Sequence, residues 1–287
     1  MNICCTVNEK FLRPLKTLLV SLAETQTEKI DLYLLNYYLT ENEIKEISTF
    51  SNVLDIRFHL IPFPDRLFQK LKKEATLDEK GGFTIEVFFR LFIPQLLPNT
   101  VSRVLFLDAD IIVIKDLSFF YHKPFEENYA IGTKDIMTDL EKWEENLKNR
   151  KEKLEMKKES TYFNAGSLIL NLEKIRKDPD FSEKNLFKLI KEKDFGFHDQ
   201  DILNFLLRDR VYIFQAYEFN CPPYYMSEDL NAASILHYTG RKPWEVRENN
   251  YIYSKLIPYH NKMRLLSKFE NLIEKLNKYE NSNNINM

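Results

Sequence analysis

Short apolar segments alternate with amphipathic ones along the first part of the chain. Ile3 to Val7 is apolar and contains β-branched residues, which predicts a short buried strand. Leucines at helical spacing follow on one face of a predicted helix: Leu12, Leu15, Leu18, Leu19 and Leu22. Two more predicted strands, Ile30 to Leu35 and Val53 to Leu60, enclose a helix that starts at the capping box of Thr40 and Glu43. This β-α-β-α-β order predicts an α/β fold, with a mostly parallel sheet and helices on both faces.

The apolar pattern continues through the middle of the chain. Thr84 to Leu97 is rich in aromatic residues and predicts a helix that is interrupted near Pro94. Ser102 to Leu107 predicts a buried strand, which runs directly into Asp108-Ala109-Asp110. Further elements follow from the same patterns: strands at Ile111 to Ile114, Tyr129 to Thr133 and Thr161 to Leu172, a helix from Leu172 to about Glu192, a helix after Asp199, and short strands near Val211 and Ser234.

The stretch from Asp139 to Glu159 has a different character, because 14 of its 21 residues are charged and the two signs are mixed. A thin apolar stripe at helical spacing runs through it: Leu140, Trp143, Leu147 and Leu154. The pattern predicts a mobile helical insertion on the surface. Two interpretations stay open, a cover over the mouth of a site that orders with substrate, and an ordinary solvated helix.

Charge and cysteine content narrow the class of protein. The 41 basic and 43 acidic residues leave a net charge of −2, so the chain lacks a global basic footprint and we expect no nucleic-acid partner. Three cysteines, Cys4, Cys5 and Cys221, indicate a reducing compartment, with Cys4 and Cys5 as small apolar strand residues. Without a secretory signal or an apolar run of about 18 residues, the expected location is cytoplasmic.

Glycine is scarce, at 6 of 287 residues, and neither G-x-G-x-x-G nor G-x-x-x-x-G-K-[ST] occurs. Loops of that kind need several glycines within a few positions, because their backbone must approach the phosphates of a nucleotide. If the chain binds a nucleotide, another device must therefore hold the phosphates.

Two carboxylates in the motif V-L-F-L-D-A-D-I-I-V provide such a device. Asp108 and Asp110 come where a buried strand ends, and ligands of open α/β sheets bind at that edge. Carboxylate oxygens suit Mg²⁺ or Mn²⁺, and a divalent ion neutralises a diphosphate. A solvated turn is the alternative, but two carboxylates within so apolar a stretch are unfavourable without a cation.

Two further motifs carry residues of the same chemistry. In I-L-H-Y-T-G-R-K-P-W, His237 can complete a metal site and would favour Mn²⁺, Gly240 lets the backbone approach a phosphate, and Lys242 can neutralise it. A structural histidine is the alternative for His237. In F-H-D-Q-D-I-L-N, Asp199, Gln200 and Asp201 open a helix, where acidic residues also complement the helix dipole.

Six collinear motifs together give the chain a resemblance to the glycosyltransferase family 8 enzymes, which include glycogenin and bacterial lipopolysaccharide glucosyl- and galactosyltransferases. The motifs span Asn2 to Trp244: I-C-C-T-V-N-E-K-F, R-L-F-I-P-Q-L-L-P, L-F-L-D-A-D, F-N-A-G-S-L-I-L-N-L, H-D-Q-D-I-L-N and H-Y-T-G-R-K-P-W. The resemblance implies a GT-A fold, which is a single Rossmann-like, mostly parallel mixed sheet flanked by helices. It also implies a nucleotide-sugar donor, usually a UDP-hexose, a Mn²⁺-type ion (or Mg²⁺), and retention of anomeric configuration.

Matching the motifs residue by residue implies a role for each position. Asp108, Asp110 and His237 would bind the metal. The remaining positions would bind the donor. Thr6 and Asn8 would contact its uracil and ribose, Ala109 would contact the ribose through its backbone, and Arg90 would reach the donor. Asn164 and Asp199 would bind its sugar hydroxyls, and Gly240 and Lys242 would bind its diphosphate. Gln200 would lie near the anomeric carbon, and with Asp199 it forms the expected catalytic pair.

Two departures from the family pattern affect these assignments. Many members have two residues between the glycine and the lysine, whereas only Arg241 separates Gly240 from Lys242, so Arg241 can share or take the phosphate contact. Asn8 and Lys10 stand where some relatives have Asp and Asn, which leaves recognition of the base open.

The implied activity is transfer of a hexose, glucose or galactose, from a UDP-sugar to a hydroxyl of a saccharide, glycolipid or glycoprotein. Because the Gln200 amide oxygen is neutral and a poor nucleophile, front-face attack is favoured over a covalent intermediate. The alternatives are an inverting GT-A enzyme, a nucleotidyltransferase, and a non-catalytic or self-glycosylating sugar-nucleotide-binding protein.

The expected organisation is a transferase domain over 1–245, with the charged insertion at about 136–160, and a helical extension over 246–287. From Lys255 to Met287 the extension has six basic and three acidic residues. It also has an apolar stripe: Leu265, Phe269, Leu272, Ile273 and Leu276. Packing on its own domain or on a second copy in a homo-oligomer is favoured, and weak peripheral contact with the inner face of a membrane is the alternative.

Overall fold

The computed structural model of the chain describes residues 1–75, 84–139, 141–192, 195–214, 217–223, 233–239 and 274–279. The strands are β1 (Asn2–Thr6), β2 (Ile30–Asn36), β3 (Ile56–Pro62), β4 (Arg103–Leu107), β5 (Ile111–Val113), β6 (Ala130–Lys134), β7 (Phe163–Asn171), β8 (Val211–Phe214) and β9 (Ile235–His237). The α-helices are α1 (Leu12–Thr25), α2 (Glu41–Val53), α3 (Asp65–Glu74), α4 (Ile93–Leu96), α5 (Ser118–His122), α6 (Glu144–Lys153), α7 (Leu172–Lys177), α8 (Glu183–Glu192) and α9 (His198–Leu206).

Within the described part of the chain, seven strands form one sheet in the order β3-β2-β1-β4-β7-β6-β8. The β1–β2, β2–β3, β1–β4 and β6–β8 pairs are parallel, whereas β7 pairs antiparallel with both of its neighbours. The carboxyl ends of β1, β4 and β6 therefore lie at the same edge of the sheet. The predicted mixed, mostly parallel α/β sheet is confirmed.

Each face of the sheet is covered by its own apolar cluster. Ile3 and Cys5 of β1 pack in the cluster that includes α1 and α2, and Cys4 packs in the opposite cluster, as the two-residue period of a strand requires. Cys4 and Cys5 are fully buried free thiols. The prediction that they act as small apolar strand residues is confirmed.

Two predicted helices differ from the observed ones. The aromatic stretch is a 3-10 helix, Ile85–Phe92, followed by the short α4, and Pro94 lies in the first turn of α4. The predicted interruption near Pro94 is confirmed, because one helix ends at Phe92 and α4 begins at Ile93, with Pro94 in the first turn, where its missing N–H has no helical partner. The single helix predicted from Leu172 to about Glu192 was wrong, since a 3-10 turn, Pro179–Phe181, separates α7 from α8.

The charged insertion forms α6, which has no buried side chain. Leu154 and Met156 follow α6 and are buried in the apolar cluster that contains Cys4, and Trp143 and Leu147 pack partly against that cluster. The insertion is therefore helical and superficial, as predicted, and its ends are anchored to the domain.

Residues 274–279 of the extension are helical and pack on the same chain. Leu276 is fully buried in the α1/α2 cluster, and the Tyr279 ring meets the Phe50 ring edge-on at 6.4 Å. This part of the extension packs on its own domain, and the domain boundaries themselves stay a prediction. Among the described residues, we find no helix that is both long and apolar enough to cross a membrane.

Candidate active site

Asp108 and Asp110 lie in the turn between β4 and β5, at the carboxyl edge of the large sheet. The backbone N–H of Asp108 donates to the Gly166 carbonyl of β7 at 2.9 Å, which fixes this turn. The antiparallel pairing of β5 with β9 places His237 opposite Ile111. His237 Nε2 lies 3.4 Å from Asp110 Oδ1 and 3.7 Å from Asp108 Oδ2. The fold thus brings the three predicted metal ligands together, with one ligand atom from each within 4.8 Å of the others.

Asn220 orients the imidazole of His237. Asn220 Nδ2 donates to Asn164 Oδ1 at 2.9 Å, and its Oδ1 lies 2.9 Å from His237 Nδ1. Because this amide oxygen can only accept, His237 Nδ1 donates to it, and in the neutral imidazole the lone pair is on Nε2, which faces the two aspartates. A second hydrogen bond of this kind is typical of metal-binding histidines. The sequence reasoning missed Asn220, since it lies outside the recognised motifs.

Gly166 makes room for this cluster. A Cβ atom at this position would lie 2.2 Å from His237 Cε1 and 2.5 Å from Asp108 Oδ2, where no side chain fits. Gly166 belongs to the motif F-N-A-G-S, but the sequence analysis gave it no role. Its presence there in a glycine-poor chain was the available signal.

Arg90 connects two of the predicted site residues. The guanidinium is buried; its Nη2 donates to Asp108 Oδ1 at 2.7 Å, and its Nε lies 2.9 Å from Asp199 Oδ2. Burial lowers the pKa of Arg90, but the carboxylates of Asp108 and Asp199 outweigh it, so that pKa is raised. Burial raises the pKa of the Asp199 carboxyl to about 6, although Arg90 acts in the opposite direction. Arg90 thus neutralises part of the acidic charge at the site.

Asp199 and Gln200 lie in the first turn of α9, at the same edge of the large sheet as the metal-ligand cluster. His198 has a left-handed backbone, with φ of 41°, which is uncommon for a residue with a side chain and is found at functional turns. The Gln200 side chain accepts from the Ala165 N–H at 3.0 Å and donates to Asp135 Oδ2 at 3.2 Å. The sequence-predicted pair therefore lies beside the metal-ligand cluster.

Asp135 is another residue that the sequence reasoning missed. It is buried directly after β6, and its Oδ2 also accepts from Asn164 Nδ2 at 2.9 Å. Its position directly after β6 was the available signal in the sequence, because β6 ends at the same edge of the sheet as β4.

The remaining predicted residues are split between described and undescribed parts of the chain. Thr6 ends β1 at the site edge, Asn8 accepts from the Lys10 N–H at 3.1 Å, and Ala109 is buried between the two aspartates. Gly240, Arg241 and Lys242 lie outside the described residues. Their assignments, like those of the other donor-binding residues, stay predictions.

Comparison with known families shows which family the chain belongs to. The family model described as Glycosyl transferase family 8 matches residues 2–248. The chain belongs to glycosyltransferase family 8. It is 32% identical over 178 residues to glycosyltransferase GlyB of Streptococcus pneumoniae serotype 4, and 32% identical over 173 residues to the lipopolysaccharide 1,2-glucosyltransferase of Escherichia coli K12. These alignments cover 57% and 55% of this chain but only 39% and 48% of the two relatives, so the chain matches less than half of each.

Solved structures show that this family 8 glycosyltransferase has the GT-A fold. The galactosyltransferase LgtC in complex with donor and acceptor sugar analogues superimposes with a TM-score of 0.71 at 20% identity, covering 89% of this chain and 94% of that one. Glycosyltransferase GlyE of S. pneumoniae superimposes with a TM-score of 0.58 at 20% identity, covering 98% of this chain and 63% of that one. The fold and family implied by the sequence motifs are therefore confirmed.

Proposed function

We propose that this family 8 glycosyltransferase transfers a hexose from a UDP-sugar to a hydroxyl acceptor, with retention of configuration and with a divalent metal at Asp108, Asp110 and His237. The convergence of these three side chains at the carboxyl edge of the sheet carries the proposal. Glucose and galactose are the favoured sugars, since the relatives include a lipopolysaccharide glucosyltransferase and the structural neighbours a galactosyltransferase. The acceptor is a saccharide, glycolipid or glycoprotein.

The residues present fit a divalent cation. Two carboxylates and one imidazole form a donor set suited to Mn²⁺, and Mg²⁺ is the alternative. The proton on His237 Nδ1 leaves Nε2 available, and Gly166 keeps the space beside it clear. A bound ion would supply positive charge against the diphosphate leaving group of the donor.

The side chains around the cluster would bind the donor. Thr6, Asn8 and Ala109 lie at the edge where the nucleoside would bind. Asn164 and Asp199 would hold sugar hydroxyls, and Gly240 with Lys242 or Arg241 would meet the diphosphate. In this proposal the bound metal ion and a basic side chain, rather than a glycine-rich loop, hold the phosphates, which is consistent with the scarcity of glycine.

We expect Gln200 to stabilise positive charge on the sugar. Breaking the sugar–phosphate bond produces an oxocarbenium-like centre, which an amide oxygen stabilises without forming a bond. The acceptor hydroxyl then attacks on the face that the diphosphate leaves, and a β-phosphate oxygen takes the hydroxyl proton. This front-face route gives retention without a protein nucleophile.

A donor screen tests the proposal. The full chain is incubated with UDP-glucose, UDP-galactose and other UDP-sugars, with Mn²⁺, Mg²⁺ or a chelator, and UDP release is measured. We expect metal-dependent hydrolysis of one donor, lost in Asp110→Asn and kept in the control Asp116→Asn, whose carboxylate is exposed and caps the Ser118 N–H. Full activity in chelator would overturn the metal assignment, and a mass increase of the intact protein would show self-glycosylation.

A further inference from the structure

The orientation of Gln200 depends on a chain of contacts that begins outside the site. Its Nε2 lies 3.2 Å from both Asp135 Oδ2 and the Tyr162 hydroxyl oxygen, and its Oε1 accepts from Ala165. These contacts engage both ends of the side-chain amide. The direction in which its oxygen points is therefore decided by protein groups before any substrate binds.

Tyr162 can accept from Gln200 because its own proton is engaged elsewhere. The side chain is fully buried, and its hydroxyl donates to Asp201 Oδ1 at 2.6 Å. Burial, together with the charge of Asp201, raises the pKa of Tyr162 well above its ordinary value, so the hydroxyl stays protonated. With its proton directed at the carboxylate, the hydroxyl oxygen presents its lone pairs to Gln200 Nε2.

Asp201 is itself held by the charged insertion. Its side chain is only 3% exposed, and its Oδ2 accepts from the Phe197 N–H at 2.9 Å and forms an ion pair with Arg150 of α6. The Arg150 guanidinium also stacks over the Phe197 ring at 4.0 Å. Gly196 leaves space for it, since a Cβ there would lie 3.3 Å from Nη2.

We propose that Arg150 is a positioning residue for Gln200, acting through Asp201 and Tyr162. Arg150 balances the buried charge of Asp201, so that Asp201 Oδ1 remains an acceptor for Tyr162. Without this cation, the buried carboxylate would keep only neutral donors among the described residues, Tyr162 and the Phe197 N–H, and it would rearrange. Tyr162 would then lose its fixed acceptor, and the Gln200 amide would keep only its contacts with Asp135 and Ala165, which hold it less firmly than all three contacts do. The insertion therefore contributes to the site through a fixed contact rather than only as a cover.

Kinetics of substituted proteins test the route, and this part of the test rests on the proposed function. Arg150→Met should lower kcat about 10- to 100-fold, the scale expected for a misplaced site residue, with the donor KM unchanged within about twofold. Arg150→Lys should restore part of kcat. Lys157→Met is the matched control, because Lys157 lies in the same insertion and pairs with Asp209 at 3.0 Å, away from Gln200. It should keep wild-type kcat.

A double-mutant comparison of kcat distinguishes a positioning role of Arg150 from a general loss of packing. If Arg150 acts through Asp201, Arg150→Met should lower kcat much less in an Asp201→Asn background than in the wild type. Equal losses in both backgrounds would overturn the proposal.

An activity-independent measurement separates this inference from the proposed function. The chain has five glutamines, so ¹⁵N-glutamine labelling gives a simple spectrum of side-chain amides, in which Gln200→Ala identifies the signal. Arg150→Met should shift or broaden the Gln200 amide signal, and Lys157→Met should not. A response of this signal in an inactive protein would support the contact route while the proposed function fails. An unchanged Gln200 signal with unchanged kcat would refute the role of Arg150.

Discussion

Gly166→Ala is the sharpest test of the metal-ligand cluster. The added methyl would lie 2.2 Å from His237 Cε1, 2.5 Å from Asp108 Oδ2 and 3.0 Å from His237 Nε2. An ordinary contact of this kind is at least about 3.4 Å, so the ring and the carboxylate must each move by about 1 Å. Movement of the ring also strains its 2.9 Å hydrogen bond to Asn220.

The expected magnitude follows from both effects. Overpacking of a well-packed site destabilises a protein by about 1–3 kcal/mol. Displaced or disoriented ligands lower metal affinity about 10- to 100-fold, which corresponds to about 1.4–2.8 kcal/mol. The variant should therefore fold with reduced stability and bind Mn²⁺ more weakly.

Isothermal titration calorimetry of the donor-free protein with Mn²⁺ measures the metal affinity, and thermal unfolding of the same protein measures its stability. Gly132→Ala is the matched control, because its methyl would lie 2.9 Å from Leu168 Cδ1 and would touch none of the three ligands. We expect the control to lose stability while it keeps its Mn²⁺ affinity. Wild-type Mn²⁺ affinity in Gly166→Ala, or an equal loss in Gly132→Ala, would refute the reasoning.

Three further predictions concern the groups around the site and the extension. Asn220→Ala should weaken Mn²⁺ binding about tenfold in the same titration, because His237 loses the hydrogen bond that orients it, and unchanged affinity would contradict that role. Folding raises the pKa of Asp199 from 3.8 to about 6, so the folded state binds more protons than the unfolded state between these pH values. The free energy of unfolding of wild type and of Asp199→Asn is therefore measured with denaturant, in chelator, between about pH 4 and about pH 6. The stability of wild type relative to the variant should fall as the pH rises, and a pH-independent difference would argue against a raised pKa. Leu276→Ala should lower the free energy of unfolding by about 2–5 kcal/mol, because this fully buried side chain packs with the α1/α2 cluster, whereas an effect below about 0.5 kcal/mol would show that 274–279 is not part of the core.

Local patterns in the sequence were enough to predict the sheet and the position of the acidic pair. The β-α-β-α-β order predicted parallel strands, and Asp108 and Asp110 follow a buried strand, so their place at the carboxyl edge follows from the chain direction alone. The motif order then indicated the family and the third ligand, His237. These features could be predicted because each depends on neighbouring residues or on a motif that is read as a unit.

Helix type and helix ends were less predictable. The apolar spacing of Ile85–Phe92 is compatible with an α-helix, but the segment forms a 3-10 helix in which Arg90 is buried between Asp108 and Asp199. Tertiary packing outweighed local preference here, since intrinsic helix preferences are worth only fractions of a kcal/mol per residue.

Only the tertiary structure decided which polar groups support the predicted site. Asn220 meets Asn164 across 56 residues of sequence, and Arg150 meets Asp201 across 51. None of these contacts leaves a periodic or motif-like trace, because a hydrogen bond between distant segments depends on where the sheet order places them. The sequence by itself determined the chemistry at the strand ends, and the packing of β7, β9, α6 and α9 around them determined how that chemistry is oriented.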